Sequence, residues 1–258
     1  MKKKLISIFR KLTGMVLKAY SQKTPWSQPP NSFVEENKMK KVLSLLKSNG
    51  LQCETILDVG ANKADWSRIA SQIFNQSEFF LIEPQIEMKN YLEKFCEEHA
   101  GSKYFINGAG RKSGVLSLTI WDDLMGSSFL PNTETSFADK KRREIDIITI
   151  DDLISNGRIS NPEIVKIDVQ GFELEVLRGA ELLFGHTEAF ILEVSLFSFD
   201  DVPGQPEFWE VASFMKERGY VAYDFCGFLR RPFDNALGQC DICFVKENGI
   251  LRISNKWS

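Results

Sequence analysis

The chain is poor in histidine and cysteine, and it has no long apolar run. Its hydrophobic stretches fall short of the roughly 18 consecutive apolar residues that a membrane-spanning helix needs, which excludes a conventional transmembrane segment. Five cysteines, an odd number without framework spacing, argue against a disulfide scaffold and for a reducing, cytoplasmic setting. Cys240 and Cys243 form a C-x-x-C within the strand-like run CDICFV. No second pair or histidine stands nearby, so they read as buried thiols and not as a zinc or redox site.

Net charge is also scarce, at −3 over 258 residues, but it is unevenly spread. Residues 1–23 hold seven basic residues (Lys2, Lys3, Lys4, Arg10, Lys11, Lys18 and Lys23) and no acid. The rest of the chain has the other 25 basic residues against all 35 acidic ones, which argues against a nucleic-acid surface on the main body. Leu5, Ile8, Phe9, Leu12, Met15, Val16, Ala19 and Tyr20 share one face of a helical wheel, with the basic residues mostly opposite. That is the pattern of a helix lying in a membrane interface. Arg10 and Lys11 interrupt its apolar run and no small-x-small cleavage site follows, so it is not a secretory signal. The expectation is peripheral contact with the inner face of a membrane, set against an ordinary helix packed on the domain. Residues 25–32, rich in proline and polar side chains, read as a linker, and 33–258 as the main domain.

After a helix at about Val34 to Ser48, strands and helices alternate. The pattern predicts strand Thr55 to Val59, helix Asp65 to Ile73, strand Phe79 to Glu83, helix Glu87 to Glu98 and strand Lys103 to Asn107. Residues 110–163 break the rhythm with two alternating runs, Val115 to Trp121 and Glu144 to Ile150, and a short helix near Asp151. This is a β-rich insertion between the third and fourth strands of the main pattern. Strand Val165 to Val169, helix Phe172 to Leu183, strand Ala189 to Ser195, helix Glu207 to Arg218 and a closing pair, Tyr220 to Phe225 and Asp241 to Lys246, complete it. Alternation of this kind implies an α/β fold, with a mostly parallel sheet, helices on both faces and an antiparallel edge hairpin.

Ligands of such sheets bind beyond the carboxyl ends of the strands. The first strand runs into Asp58-Val59-Gly60-Ala61-Asn62, a turn that lacks the glycines of a dinucleotide fingerprint because Ala64 stands where another glycine would be expected. The second ends on Glu83, 25 residues after Asp58, where an acid can accept both hydroxyls of a ribose. The third ends in Asn107-Gly108-Ala109, a small polar turn suited to an adenine ring. Together these ends fit an adenosine-bearing ligand.

The segments ILDVGANKADWS, FFLIEP, NGAGRKSG, ITIDDLI, VKIDVQGFELEVLRGAELL and ILEV, in this order, resemble the FkbM family of S-adenosylmethionine-dependent methyltransferases. The resemblance covers about residues 53–196 and implies a Rossmann-like class I methyltransferase fold, a seven-stranded sheet with an antiparallel last strand. It also implies O-methylation of a hydroxyl on a saccharide, a glycan precursor or a related metabolite. Asp58, Gly60, Ala61 and Asn62 would then face the methionine part of the cofactor with Asp168, Glu83 the ribose, and Asn107, Gly108 and Ala109 the adenine. Two positions depart from the pattern. Ala64 is tolerable unless its backbone needs positive φ, and Gln170 replaces an acid that the family often carries.

Methyl transfer to a hydroxyl needs an in-line approach and a sink for a proton. His99 and His186 both fall at the sheet edge opposite the strand ends, so carboxylates remain. Asp168 ends the fourth strand of the main pattern and Glu193 lies near the end of the fifth. The two acids could share a divalent cation such as magnesium, or one could serve as the base. Ser127 and Ser128, with Phe129, form a candidate substrate loop, joined by Gly171 and Glu173. Trp121 and Trp209 are candidates for stacking on a sugar, and Lys140 to Arg143 for a solvated strand entrance. The competing reading is a binding or scaffold protein that keeps the adenosine site without turnover. If residues 1–24 contact membranes, deleting them abolishes co-sedimentation with anionic liposomes; unchanged partitioning would rule that contact out.

Overall fold

The computed structural model describes residues 32–120, 124, 126–130, 141–199 and 203–257. The basic segment, residues 25–31 of the expected linker, Trp121 and Lys140 lie outside these, while Ser32, expected in the linker, opens the first helix. Helix α1 (Ser32–Ser48) leads into β1 (Thr55–Val59), α2 (Asp65–Ile73), β2 (Glu78–Ile82), α3 (Lys89–Glu98) and β3 (Lys103–Phe105). The insertion supplies β4 (Gly108–Ala109), β5 (Gly114–Ile120) and β6 (Lys141–Ile148). The chain then continues through α4 (Ile150–Ser155), β7 (Ile164–Ile167), α5 (Glu173–Arg178), β8 (Ala189–Ser195), α6 (Phe208–Glu217), β9 (Tyr220–Arg230) and β10 (Leu237–Lys246).

Seven strands form one sheet in the order β3-β2-β1-β7-β8-β10-β9, while β4, β6 and β5 make a second, three-stranded sheet. The first five strands pair in parallel, and β10 runs antiparallel to both β8 and β9. This is the class I methyltransferase topology. Full burial of β1 and β7 goes with their largely β-branched and apolar character, Asp58 and Lys166 excepted, since a parallel sheet is covered on both faces.

The period of two in each strand divides the core. Leu57, Val59, Val165, Ile167, Phe190 and Leu192 face α5 and α6, with Val176 and Met215 packed against them. Ile56, Ile164 and Ile191 face the other way, toward Leu43 and Leu46 of α1 and Phe95 of α3. The same alternation sends Cys240 to one core and Cys243 to the other, so the C-x-x-C cannot close on a metal or on itself. Burial also pushes the Cys240 thiol up to about 11. Among the described residues no helix is long and apolar enough to cross a membrane.

Strand order reverses between β1 and β7, and the chain is tightest there. Gly60, at φ 81°, lies so close to β7 that a Cβ would come within 1.8 Å of the Asp168 carbonyl oxygen. Ala64, by contrast, does adopt positive φ, at 61°, ahead of α2. The glycine missing from the turn is therefore replaced by a residue held in a conformation that disfavours it by about 1–2 kcal/mol. Gly185 has a similar φ of 89° but nothing within 4 Å of its would-be Cβ. Gly185→Ala therefore tests left-handed strain alone, about 1–2 kcal/mol, whereas Gly60→Ala adds a backbone collision and should lose at least about 2 kcal/mol more in chemical denaturation. Equal losses would refute the close approach.

Candidate active site

A cleft of about 310 Å³ opens over the carboxyl ends of the strands. Gly60 and Asn62 line it from the end of β1, Glu83 from β2, Asn107, Gly108 and Ala109 from β3 and β4, and Asp168 and Glu193 from β7 and β8. The insertion closes over it with Gly126, Ser127 and Phe129. A second cavity of about 580 Å³ lies toward α1 and α2, lined by Asp58, Ala61, Trp66, Lys166 and Asp241. The two share Gly60, Asn62 and Asp168.

Glu83 is buried, and its carboxylate accepts the backbone N–H groups of Asn62 (2.8 Å) and Gln85 (2.9 Å). Burial pushes its pKa up to about 6 despite these bonds. Asp58 is similarly buried; it accepts from Ser67 Oγ at 2.6 Å, and burial raises it to about 6. On β7 the alternation that buries Ile164 toward α1 places Lys166 on the same sheet face, in register with Asp58. Its ammonium donates to Asp168 Oδ2 at 2.7 Å. Burial works against the Lys166 charge, but Asp168, Asp241 and Asp58 more than offset it and hold the pKa above the usual lysine range.

Asp168 and Glu193 come together, and Gln170 lies between them. Its Nε2 donates to Asp168 Oδ1 at 2.8 Å and to Glu193 Oε2 at 3.0 Å, and Gln239 Nε2 reaches Glu193 Oε2 at 3.3 Å. Glu193 also sits directly across from Asp241 on antiparallel β10, and like charges so placed repel. Burial, Asp168, Asp241 and Glu173 all raise Glu193 well above the usual carboxylate range. Burial would raise Asp168 too, but Lys166 and the hydrogen bonds hold it below that range. A proton shared by the pair is therefore favoured on the Glu193 side.

Other predicted residues stand elsewhere. Asp58 and Ala61 line the second cavity and not the first. Ser128 is not on the cleft wall; its hydroxyl donates to the Gln170 carbonyl at 2.7 Å. Gly171 is packed beneath Leu130 and Gln205. Glu173 is buried and accepts from the backbone N–H groups of Val169 (3.2 Å) and Gly171 (3.1 Å), so it secures the turn after β7 instead of lining the cleft. Trp209 is exposed on α6, away from the cleft. Arg143, read as a solvated strand entrance, makes a two-pronged pair with Glu87 at 2.9 and 2.6 Å. His99 stacks on Phe95 and His186 precedes β8, both at the far edge of the sheet. Gln85, Lys166, Leu229 and Gln239 line the cavities without having been singled out in the sequence. For Lys166 a signal existed: a lysine within an apolar strand, two residues before an acid.

The Methyltransferase FkbM domain matches residues 58–222, well over half of the chain. The chain belongs to this family. Among curated proteins it is similar to the hexuronic acid methyltransferase AglP of Haloferax volcanii, with 26% identity over 154 residues, which are 59% of this chain and 61% of that protein. The chain thus spans less than two thirds of that relative's length. Among solved structures it is similar to a precorrin-6y C5,15-methyltransferase from Geobacter metallireducens (TM-score 0.43, 12% identity, covering 80% of this chain and 87% of that one). Another is the 1,6-didemethyltoxoflavin-N1-methyltransferase of Burkholderia thailandensis (TM-score 0.43, 10% identity, 94% and 89%). Neither structural likeness bears on what this FkbM chain acts on.

Burial pushes Glu173 up to about 7 from an ordinary 4.5. The folded state therefore binds the proton more tightly than the unfolded chain, and stability falls as pH rises between those values. At about 1.4 kcal/mol per unit the shift is worth about 3 kcal/mol. Glu173→Gln keeps an acceptor for the two N–H groups. Between pH 4 and pH 8 wild type should lose about 3 kcal/mol more than this variant; parallel slopes would contradict the assignment.

Proposed function

We propose that the protein is an S-adenosylmethionine-dependent O-methyltransferase acting on a hydroxyl of a saccharide, a glycan precursor or a related metabolite. One observation carries the reading: Glu83 and the Asp168–Glu193 pair face a single cleft at the point where strand order reverses. Membership of the FkbM family and the hexuronic acid methyltransferase relative support it.

The residues fit the cofactor. Glu83, held by two backbone N–H groups, is placed to accept ribose hydroxyls, and Asn107, Gly108 and Ala109 offer small residues on the cleft wall for adenine. Where Gly60 and Asn62 join the two cavities, the methionine part would pass toward Asp58 and Ala61. When bound, S-adenosylmethionine supplies an electrophilic methyl group on a sulfonium. An acceptor hydroxyl presented to that methyl would lie against Asp168, which would take up its proton as the oxygen is methylated. Lys166 favours the ionised form of Asp168 that would receive it, while burial and the acids around Glu193 favour that residue's protonated form. Cleft walls otherwise rich in amides and Ser127 suit a polyhydroxylated acceptor.

A divalent cation on Asp168 and Glu193 is the other chemistry considered for these acids, and the donor set does not fit it. Gln170 and Lys166 already occupy both oxygens of Asp168, and among the described residues no group of three His, Cys, Asp or Glu is placed to hold a metal ion.

Calorimetry should find one S-adenosylmethionine bound per chain, and a labelled-methyl assay against saccharide extracts should find turnover. Asp168→Asn should lower kcat by about 100-fold or more, with a much smaller loss of cofactor affinity. No binding at millimolar cofactor would remove the proposal, and full turnover in Asp168→Asn would remove Asp168 as proton acceptor.

A further inference from the structure

We infer that Gln170 is a positioning residue whose carboxamide takes the place of a cation between Asp168 and Glu193, so that the pair works without a divalent metal. The inference rests on the methyltransferase reading and goes past it to this one position.

Two carboxyl groups brought to one cleft wall need something positive between them. Here the two hydrogens of one Nε2 are directed at one oxygen of each acid, at 2.8 and 3.0 Å. The amide is held in place. Gln170 has φ 53°, a left-handed conformation unfavourable for a residue with a side chain, and the Ser128 hydroxyl secures its carbonyl oxygen at 2.7 Å. Leu130 N in turn donates to Ser128 Oγ at 3.2 Å, so the insertion loop and the turn after β7 are locked to each other. A backbone so constrained gives the side chain little freedom to leave.

The groups facing the amide explain why a neutral donor suffices. Lys166 lies below Asp168 and supplies a full positive charge, shared with Asp58 and Asp241. Burial, with Asp168, Asp241 and Glu173, favours the protonated form of Glu193, which also receives a second amide from Gln239. The negative charge to be met at the cleft wall is thereby reduced, and the two hydrogens of the amide reach both acids. A carboxylate at position 170 would change that balance, because three oxygen-donor groups would converge on one point with charge to spare, the arrangement a hard divalent cation selects.

The test is Mn2+ binding, read by electron paramagnetic resonance and thermal shift on the full chain. Wild type should hold no Mn2+ below millimolar concentration, and its turnover should be unchanged in chelator. Gln170→Glu should bind one Mn2+ at least about tenfold more tightly than wild type and should gain thermal stability on adding it. Gln170→Ala should lower kcat about tenfold with KM for S-adenosylmethionine unchanged, a split that general loss of packing would not produce. One Mn2+ per wild-type chain, lost in Asp168→Asn, would overturn the inference, as would full kcat in Gln170→Ala. Should Gln170→Glu fail to fold, the wild-type titration and Gln170→Ala decide. Absence of cofactor binding would instead defeat the methyltransferase reading, a result that the Mn2+ titration does not depend on.

Discussion

Five ionisable groups share one face of the sheet at the ends of four neighbouring strands, and their desolvation governs the rest of the site. Asp58, Lys166, Asp168, Glu193 and Asp241 continue inward-facing rows that elsewhere hold Ile56, Ile164, Ile191 and Cys243. An uncompensated charge there would be far costlier than any single contact in the fold could offset. The compensation is specific. One lysine serves three carboxylates, one glutamate is shifted toward its protonated form, and two glutamine amides donate to Asp168 and Glu193. The same arrangement leaves Asp168 ionised against the cleft, so stabilisation and chemistry draw on one set of interactions.

The framework around this network was largely legible in the sequence. Strand β1, helix α2 and strand β8 have the bounds that the alternation of strand and helix patterns predicts. The helix expected from Phe172 to Leu183 is instead α5, which ends at Arg178, followed by a 3-10 turn from Glu181. Gly179 packs against the Gly110 carbonyl oxygen, and the Asp151 carboxylate takes the N–H groups of Glu181 and Leu182, contacts that arise only once the chain has folded. β9 and β10 run longer than their apolar segments suggest, since register shifts along the hairpin let polar and aromatic residues extend the ladder.

The site was legible to a different degree. Strand ends are visible as the places where an apolar run meets an acid, and this singled out Glu83, Asp168 and Glu193. What periodicity could not supply was direction. Glu173 looked equally available to the cleft, yet its carboxylate turns back onto the backbone of its own turn. Gln170 registered only as a missing acid, because a side chain that bridges two strands has no signature along one of them. Lys166 was the readable omission, since its charge interrupts an otherwise apolar strand on the face that leads to Asp168.

The central claim is that the Asp168–Glu193 pair keeps one proton, on Glu193, at a pH where ordinary carboxyl groups have lost theirs. Infrared difference spectroscopy of wild type against Glu193→Gln, just above the ordinary carboxylate range, tests this most directly, because Asp58, Glu83 and Glu173, raised to about 6, 6 and 7, contribute to both proteins and cancel. The account predicts a carboxylic-acid carbonyl band in wild type that the variant lacks. A carboxylate band in its place would mean that both acids are ionised, and the network would have to be understood without a shared proton.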